Sequence, residues 1–232
     1  MQTPNIYVII PAFNEEESIT KVVKDIPAGL VREVIVCSNG STDRTEANAR
    51  AAGATVVVEP RKGYGFACLK GMAHLAAKQG ADRPDIVVFL DGDYSDYPEQ
   101  MPELIAEILN DKADLVIGSR ALGNREKGSM MPQQIFGNWL ATTLIKLLYR
   151  VEFSDLGPFR AITYDALLAI DMQDTTFGWT VEMQVKAAKL RLRCSEVPMM
   201  YRQRIGVSKV TGTVRGTIMA GYKILWTIFK LL

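Results

Sequence analysis

An α/β fold built on a mostly parallel sheet flanked by helices is predicted by three features of the sequence. Short β-branched runs recur along its first half, helical segments separate them, and polar loops follow the runs. Strands are expected at 6–10, 34–37, 55–58, 86–90 and 115–117, runs dominated by Val and Ile. Helices are expected at 16–25, 44–52, 66–78 and 98–110, where apolar residues return at helical spacing and Pro98 suits a first turn. Beyond 117 the alternation weakens. A loop rich in Gly, Arg and Lys at 118–128 leads to an apolar helix near 135–149, and 196–201 resembles a late strand. Loops leaving the carboxyl ends of such strands collect on one edge of the sheet, so the ligand site is expected there.

The 232 residues are 48% hydrophobic and 23% charged, the composition of one globular domain with a sizeable core. Residues 1–232 therefore read as a single domain, with 210–232 a C-terminal apolar to amphipathic helix. Lys and Arg number 27 against 26 Asp and Glu, and the net charge of +1 supplies no overall field to gather nucleic acid. Cys37, Cys68 and Cys194 form neither a disulfide framework nor a thiolate metal site. The single histidine, His74, lies within an expected helix and reads as a helix-face residue rather than a member of a triad.

The sequence runs from Met1 straight into a strand, so no secretory leader is expected and the setting is cytoplasmic. The apolar stretches at 139–149 and 218–232 are interrupted by Lys146, Lys223 and Lys230, which argues against a membrane span. On a C-terminal helix Lys223 and Lys230 share a narrow polar stripe, and Trp226 and Phe229 occupy the remainder. That helix either packs in the core or lies on the cytoplasmic membrane face.

Asp91-Gly-Asp93, at the end of the apolar run 86–90, is the strongest chemical signal. Two carboxylates there suit Mg²⁺ or Mn²⁺, hard cations that bridge protein to substrate phosphates, and Gly92 leaves room for the approach. The plain alternative is a solvated turn, since Asp and Gly favour turns. In the first loop, Pro11-Ala-Phe-Asn14-Glu15-Glu16-Glu17 carries carboxylates where a dinucleotide fold would carry glycines; Glu16 and Glu17 equally complement a helix dipole. In the second, Ser38-Asn39-Gly40-Ser41-Thr42-Asp43 either caps the next helix or reads a base or ribose. Arg202, Arg204 and Lys209 form a cationic cluster suited to phosphate oxygens, or else a solvated surface run.

Taken in order, Val8 to Glu15, Asn39 to Asp43, Gly63-Tyr-Gly65, Asp91-Gly-Asp93, Gly118-Ser-Arg120, Gly137-Asn138, Asp155-Leu-Gly-Pro-Phe-Arg160 and Gly206-Val-Ser-Lys209 resemble family 2 glycosyltransferases of the dolichyl-phosphate mannose and glucose synthase-like group. The resemblance implies a GT-A fold whose nucleotide-sugar donor is lined by Pro11, Ala12, Asn14, Glu15, Asn39, Lys62 and Asp91. It implies metal at Asp91 and Asp93, and a catalytic role for Asp93 and Asp155. Arg120, Arg202, Arg204, Ser208 and Lys209 would meet phosphates, including that of a polyprenyl-phosphate acceptor. Two departures stand out: Ser38 and Asn39 replace acids common in the family, and Tyr94-Ser95-Asp96-Tyr97 replaces its usual continuation after the second aspartate.

The expected reaction is direct displacement with inversion, carried by positioning and leaving-group stabilisation. A hydroxyl acceptor would instead need a base, for which Asp155 or Glu182 is the candidate. The competing readings are transfer to a glycan or protein hydroxyl and a silent nucleotide-sugar binding protein.

Overall fold

The computed structural model describes residues 3–206 and 214–232. Five strands fall where the sequence places them: β1 (Ile6–Ala12), β2 (Glu33–Ser38), β3 (Thr55–Val58), β4 (Ile86–Phe89) and β5 (Leu115–Ser119). Helices α1 (Ile19–Asp25), α2 (Thr45–Ala51), α3 (Tyr64–Ala76) and α4 (Met101–Leu109) separate them, and α5 (Pro132–Tyr149) follows. The second half adds β6 (Arg160–Thr163), α6 (Tyr164–Ile170), α7 (Trp179–Lys189), β7 (Cys194–Pro198) and α8 (Val214–Lys230).

Three of these elements escape the sequence reading. β6 is four residues long and opens on an arginine, while α6 has only seven residues. In α7 the buried face includes Glu182 and Gln184, which erases the apolar periodicity that announces a helix. The late strand also lies earlier than 196–201, ending at Pro198. Helix α1 starts three residues later than expected. The Glu15 carbonyl accepts from the Ser18 and Ile19 amides, and the Ser18 hydroxyl donates to the Gly92 carbonyl at 2.7 Å, so 16–18 turn rather than coil.

The sheet order is β3-β2-β1-β4-β6-β5-β7. Among the described residues six strands run the same way and β6 alone runs against its neighbours β4 and β5. The carboxyl ends of six strands and the start of β6 therefore share one edge. Alternate residues feed two cores. Tyr7, Ile9, Ile35, Val87 and Phe89 pack with α3 and α5 to α8, whereas Ile6, Val8, Ile10, Val36 and Val88 pack with α1, α2 and α4. Burial on both faces accounts for the unbroken apolar runs of β1 and β4.

His74 sits on α3 with Nε2 3.0 Å from Glu33 Oε1, far from the strand ends that gather the polar loops, as a helix-face residue should. Helix α8 packs one face into the core and leaves another exposed. Ile228 is fully buried and Ala220 nearly so, yet Ile218, Tyr222, Trp226 and Phe229 are exposed. Phe136, Trp139 and Leu147 on α5, which packs against α8, are exposed as well. Among the described residues no helix is long and apolar enough to cross a membrane.

Candidate active site

A cleft of ≈ 340 Å³ opens at the carboxyl edge, lined by Pro11 and Ala12 from β1, by Asn39, Lys62 and Tyr64, and by Asp91, Asp93 and Arg204. The loops after β1 and β2 are stitched together. Asn14, in the left-handed region at φ 53, donates its amide to Ser41 Oγ and accepts from the Thr42 amide. Glu15 N donates to Thr45 Oγ1, and Asp43 accepts from the amides of Glu16 and Thr45. Asp43 thus does more than cap: it ties two loops into one wall.

Asn39 has the same character. Its Oδ1 accepts from the Gly63 amide at 2.7 Å, and its amide donates to the carbonyls of Glu59 and Arg61, so it shapes the cleft through backbone rather than presenting a free amide. Lys62 reaches over the Phe13 ring, 5.9 Å from its centroid, at the cleft wall. Gly63 and Gly65 matter for a reason the incomplete glycine pattern does not reveal. A Cβ on Gly65 would lie 2.0 Å from the Asp174 carbonyl oxygen, so only glycine lets this turn pack against 174–176. Gly65→Ala is expected to cost about 1–3 kcal/mol, the usual price of overpacking, read as a lower urea midpoint.

Asp91 and Asp93 face the cleft at the end of β4. Tyr64 Oη donates to Asp91 Oδ1 at 2.9 Å. The Ser95 amide and hydroxyl donate to Asp93 Oδ1 at 2.9 and 2.6 Å. Burial, then the negative charge of Asp93, pushes the Asp91 carboxyl up to about 6. Asp96 is also buried, leaves Oδ2 without a hydrogen-bond partner among the described residues, and is driven well above the usual carboxylate range by burial and then by Asp91 and Asp93. Gly92 lines the cleft, and within the protein a Cβ there would make ordinary 3.5 Å contacts with Ile10, Pro11 and Ala12.

The segment following β7 lies across this acidic site. Arg202 N donates to the Ser95 carbonyl and Ile205 N to the Asp93 carbonyl, each at 2.9 Å. The Arg202 guanidinium stacks between Tyr94 and Tyr97, 3.4 and 4.0 Å from their centroids, and donates to the carbonyls of Tyr94 and Asp96. These bonds make it a clamp on 94–97. Arg204 enters the cleft instead, its Nη2 3.1 Å from Asp93 Oδ2 and 3.5 Å from Glu15 Oε1. Ser208 and Lys209 lie outside the described residues.

Arg120 and Asp155 form a buried pair. Asp155 Oδ2 accepts from Arg120 N and Nε at 2.7 and 2.8 Å, and Oδ1 accepts from Nη2 at 2.7 Å. Burial pushes the Asp155 carboxyl up, but the charge and hydrogen bonds of Arg120 outweigh it and hold it below the usual range. The motif around Asp155 is held from all sides. Asn138 on α5 bonds Ser154 and Leu156, Glu196 accepts the amides of Ser154 and Asp155, and Gln184 donates to the Asp155 carbonyl. Arg160, fully buried, donates to the carbonyls of Leu156, Gly157 and Thr180. Burial lowers its guanidinium to about 10. Glu182 is elsewhere, accepting from the Gln173 and Asp174 amides and paired with Lys186, so it buttresses a loop rather than facing the cleft.

Known proteins resemble this chain in sequence and fold. A family model described as Glycosyl transferase family 2 matches residues 7–169. An uncharacterised glycosyltransferase of Mycobacterium tuberculosis is 37% identical over 93% of this chain and 94% of its own length. The chain belongs to glycosyltransferase family 2. A dolichyl-phosphate hexose transferase of Haloferax volcanii is 31% identical to this glycosyltransferase, over 89% of it and 86% of the relative. Among solved structures, the glucosyl-3-phosphoglycerate synthase of Mycobacterium tuberculosis in complex with Mn²⁺, UDP and glucosyl-3-phosphoglycerate superposes with a TM-score of 0.76. It is 26% identical, across 98% of this chain and 80% of that one. The glycosyltransferase has the GT-A type of fold, and its cleft lies at the edge where that fold gathers the strand ends.

The donor atoms of the cleft fit a divalent cation. Asp91 and Asp93 line the cleft at one strand end, and among the described residues no group of three or more His, Cys, Asp or Glu is arranged to hold a metal ion as a closed protein cage. Such a pair suits Mg²⁺ or Mn²⁺, which takes its other oxygens from substrate phosphates and water. Sequence reasoning missed Tyr64, Asp96 and Phe177 at this site. Tyr64 sits inside a motif noticed only for its glycines, and Phe177 belongs to a loop without any periodic signal.

Proposed function

We propose that the enzyme transfers a hexosyl group, with inversion, from a UDP- or GDP-linked sugar to a polyprenyl phosphate. The observation that carries this reading is the Asp91–Asp93 pair at the cleft floor. A divalent cation held there supplies charge stabilisation to the departing nucleoside diphosphate. The chain's own contribution is orientation: Tyr64 holds Asp91, Ser95 holds Asp93, and Lys62 and Arg204 bring positive charge to the same cleft.

A phosphate acceptor agrees with the absence of an available base among the candidates. Both Asp155 oxygens are bound by Arg120, Glu182 is committed to a loop, and Asp96 is driven toward its protonated form. A phosphate monoester is already anionic near neutral pH and needs no base. A second cavity of ≈ 360 Å³ supports the lipid: it is lined by Asp155, Arg125 and Lys146 together with Trp139 and Ile135 of α5. Lys146 is paired with Glu152 of the same wall at 2.9 Å, which leaves Arg125 beside the apolar side chains to suit a phosphate joined to a hydrocarbon chain. In this reading Asp155 positions Arg120 toward the acceptor phosphate. The exposed apolar faces of α5 and α8 then rest on the cytoplasmic membrane surface that carries the lipid.

The test is a panel of UDP- and GDP-sugars offered with a short polyprenyl phosphate, with 3-phosphoglycerate and with a sugar hydroxyl acceptor. Glycosylated polyprenyl phosphate is the expected product. Transfer to phosphoglycerate or to the hydroxyl alone would overturn the lipid acceptor while keeping the donor chemistry.

A further inference from the structure

Asp91, Asp93 and Glu15 bring three carboxylates to one cleft, and the positive group closest to them is a side chain of the protein itself. Arg204 reaches in from the segment after β7 and places Nη2 3.1 Å from Asp93 Oδ2 and 3.5 Å from Glu15 Oε1. Its backbone is fixed nearby, because the next residue, Ile205, donates its amide to the Asp93 carbonyl at 2.9 Å. Its Nε is buried without a hydrogen-bond partner among the described residues, although a guanidinium can use five donors. Asp93 Oδ1 is already engaged by Ser95, so Oδ2 is the oxygen it has to offer a new ligand.

We propose that Arg204 is an internal counter-ion that stands in for the divalent cation while the cleft is empty, and that it exchanges Asp93 for the nucleoside diphosphate when donor and cation arrive together. This rests on the donor reading above. Arg204 bonded to Asp93 Oδ2 opposes cation binding by its charge and by its hold on the oxygen the cation requires. Once it moves to a diphosphate oxygen, the same side chain becomes attractive, and Nε gains the acceptor it lacks. Arg204 is thus a positioning residue that couples the two ligands: cation alone binds weakly, and cation with diphosphate binds strongly. Reciprocity requires that each ligand raise the other's affinity by the same factor.

Binding of Mn²⁺ is followed by loss of the free aquo-ion's paramagnetic resonance signal, with and without UDP or GDP, in the wild type, Arg204→Met and Arg204→Lys. Arg204→Met is expected to bind Mn²⁺ alone about tenfold more tightly than the wild type, and to bind the diphosphate with Mn²⁺ more weakly, within the usual range of coupling between sites. Arg204→Lys keeps the charge and is expected to stay near the wild type for Mn²⁺ alone. Unchanged or weaker Mn²⁺ binding by Arg204→Met overturns the counter-ion exchange. A wild type that takes up no Mn²⁺ even with the diphosphate instead refutes the Asp91–Asp93 cation site itself, and the exchange with it.

Discussion

Asp93→Asn is expected to lower kcat/KM by about 10²–10³-fold, the scale on which loss of one element of transition-state charge stabilisation is felt. The substitution is nearly isosteric, and Asn retains a carbonyl oxygen to accept from the Ser95 amide and hydroxyl, so the loop after β4 keeps its two anchors. What disappears is the anionic charge that faces the cleft and pairs with Arg204. Structure and rate should therefore separate, with an unaltered circular dichroism spectrum and urea midpoint beside a collapse of turnover. Activity within a few-fold of wild type would remove Asp93 from the chemistry.

Replacing Arg120 by Met is expected to cost about 3–5 kcal/mol in stability, since it strands the buried Asp155 carboxylate without its ionic partner. The pH dependence carries a sign that a generic packing defect lacks. Asp155 has a depressed folded-state carboxyl, so its stabilising contribution is complete above the unfolded value of about 4 and is lost as pH falls through the folded value. The gap in urea-derived stability between wild type and Arg120→Met should therefore be widest above pH ~5 and should narrow on acidification. A gap independent of pH would show that lost packing, not the ion pair, sets the cost.

The parts of this fold legible in the sequence are those in which one physical signal dominates. Strands β1 and β4 are buried on both faces and therefore spell unbroken apolar runs. Asp91 and Asp93 stood out because acids at the end of such a run are conspicuous. The remainder depends on partners distant in sequence. Whether Asp155 faces a substrate or an arginine is decided 35 residues away at Arg120, and the stacking of Arg202 between Tyr94 and Tyr97 spans more than a hundred positions. Asn39 looks like a base reader until Gly63 takes its oxygen. The inward-facing Glu182 and Gln184 of α7 hide that helix because their hydrogen-bonding targets belong to loops that no local pattern predicts.

The central claim is that sugar transfer runs through a divalent cation at Asp91 and Asp93. Release of nucleoside diphosphate from UDP- and GDP-sugars, in the presence of a polyprenyl phosphate, tests it most directly when followed through chelation and readdition of Mn²⁺ or Mg²⁺. Turnover that stops with chelator and returns with the cation is the expected result; turnover that continues undiminished after complete chelation would contradict the account.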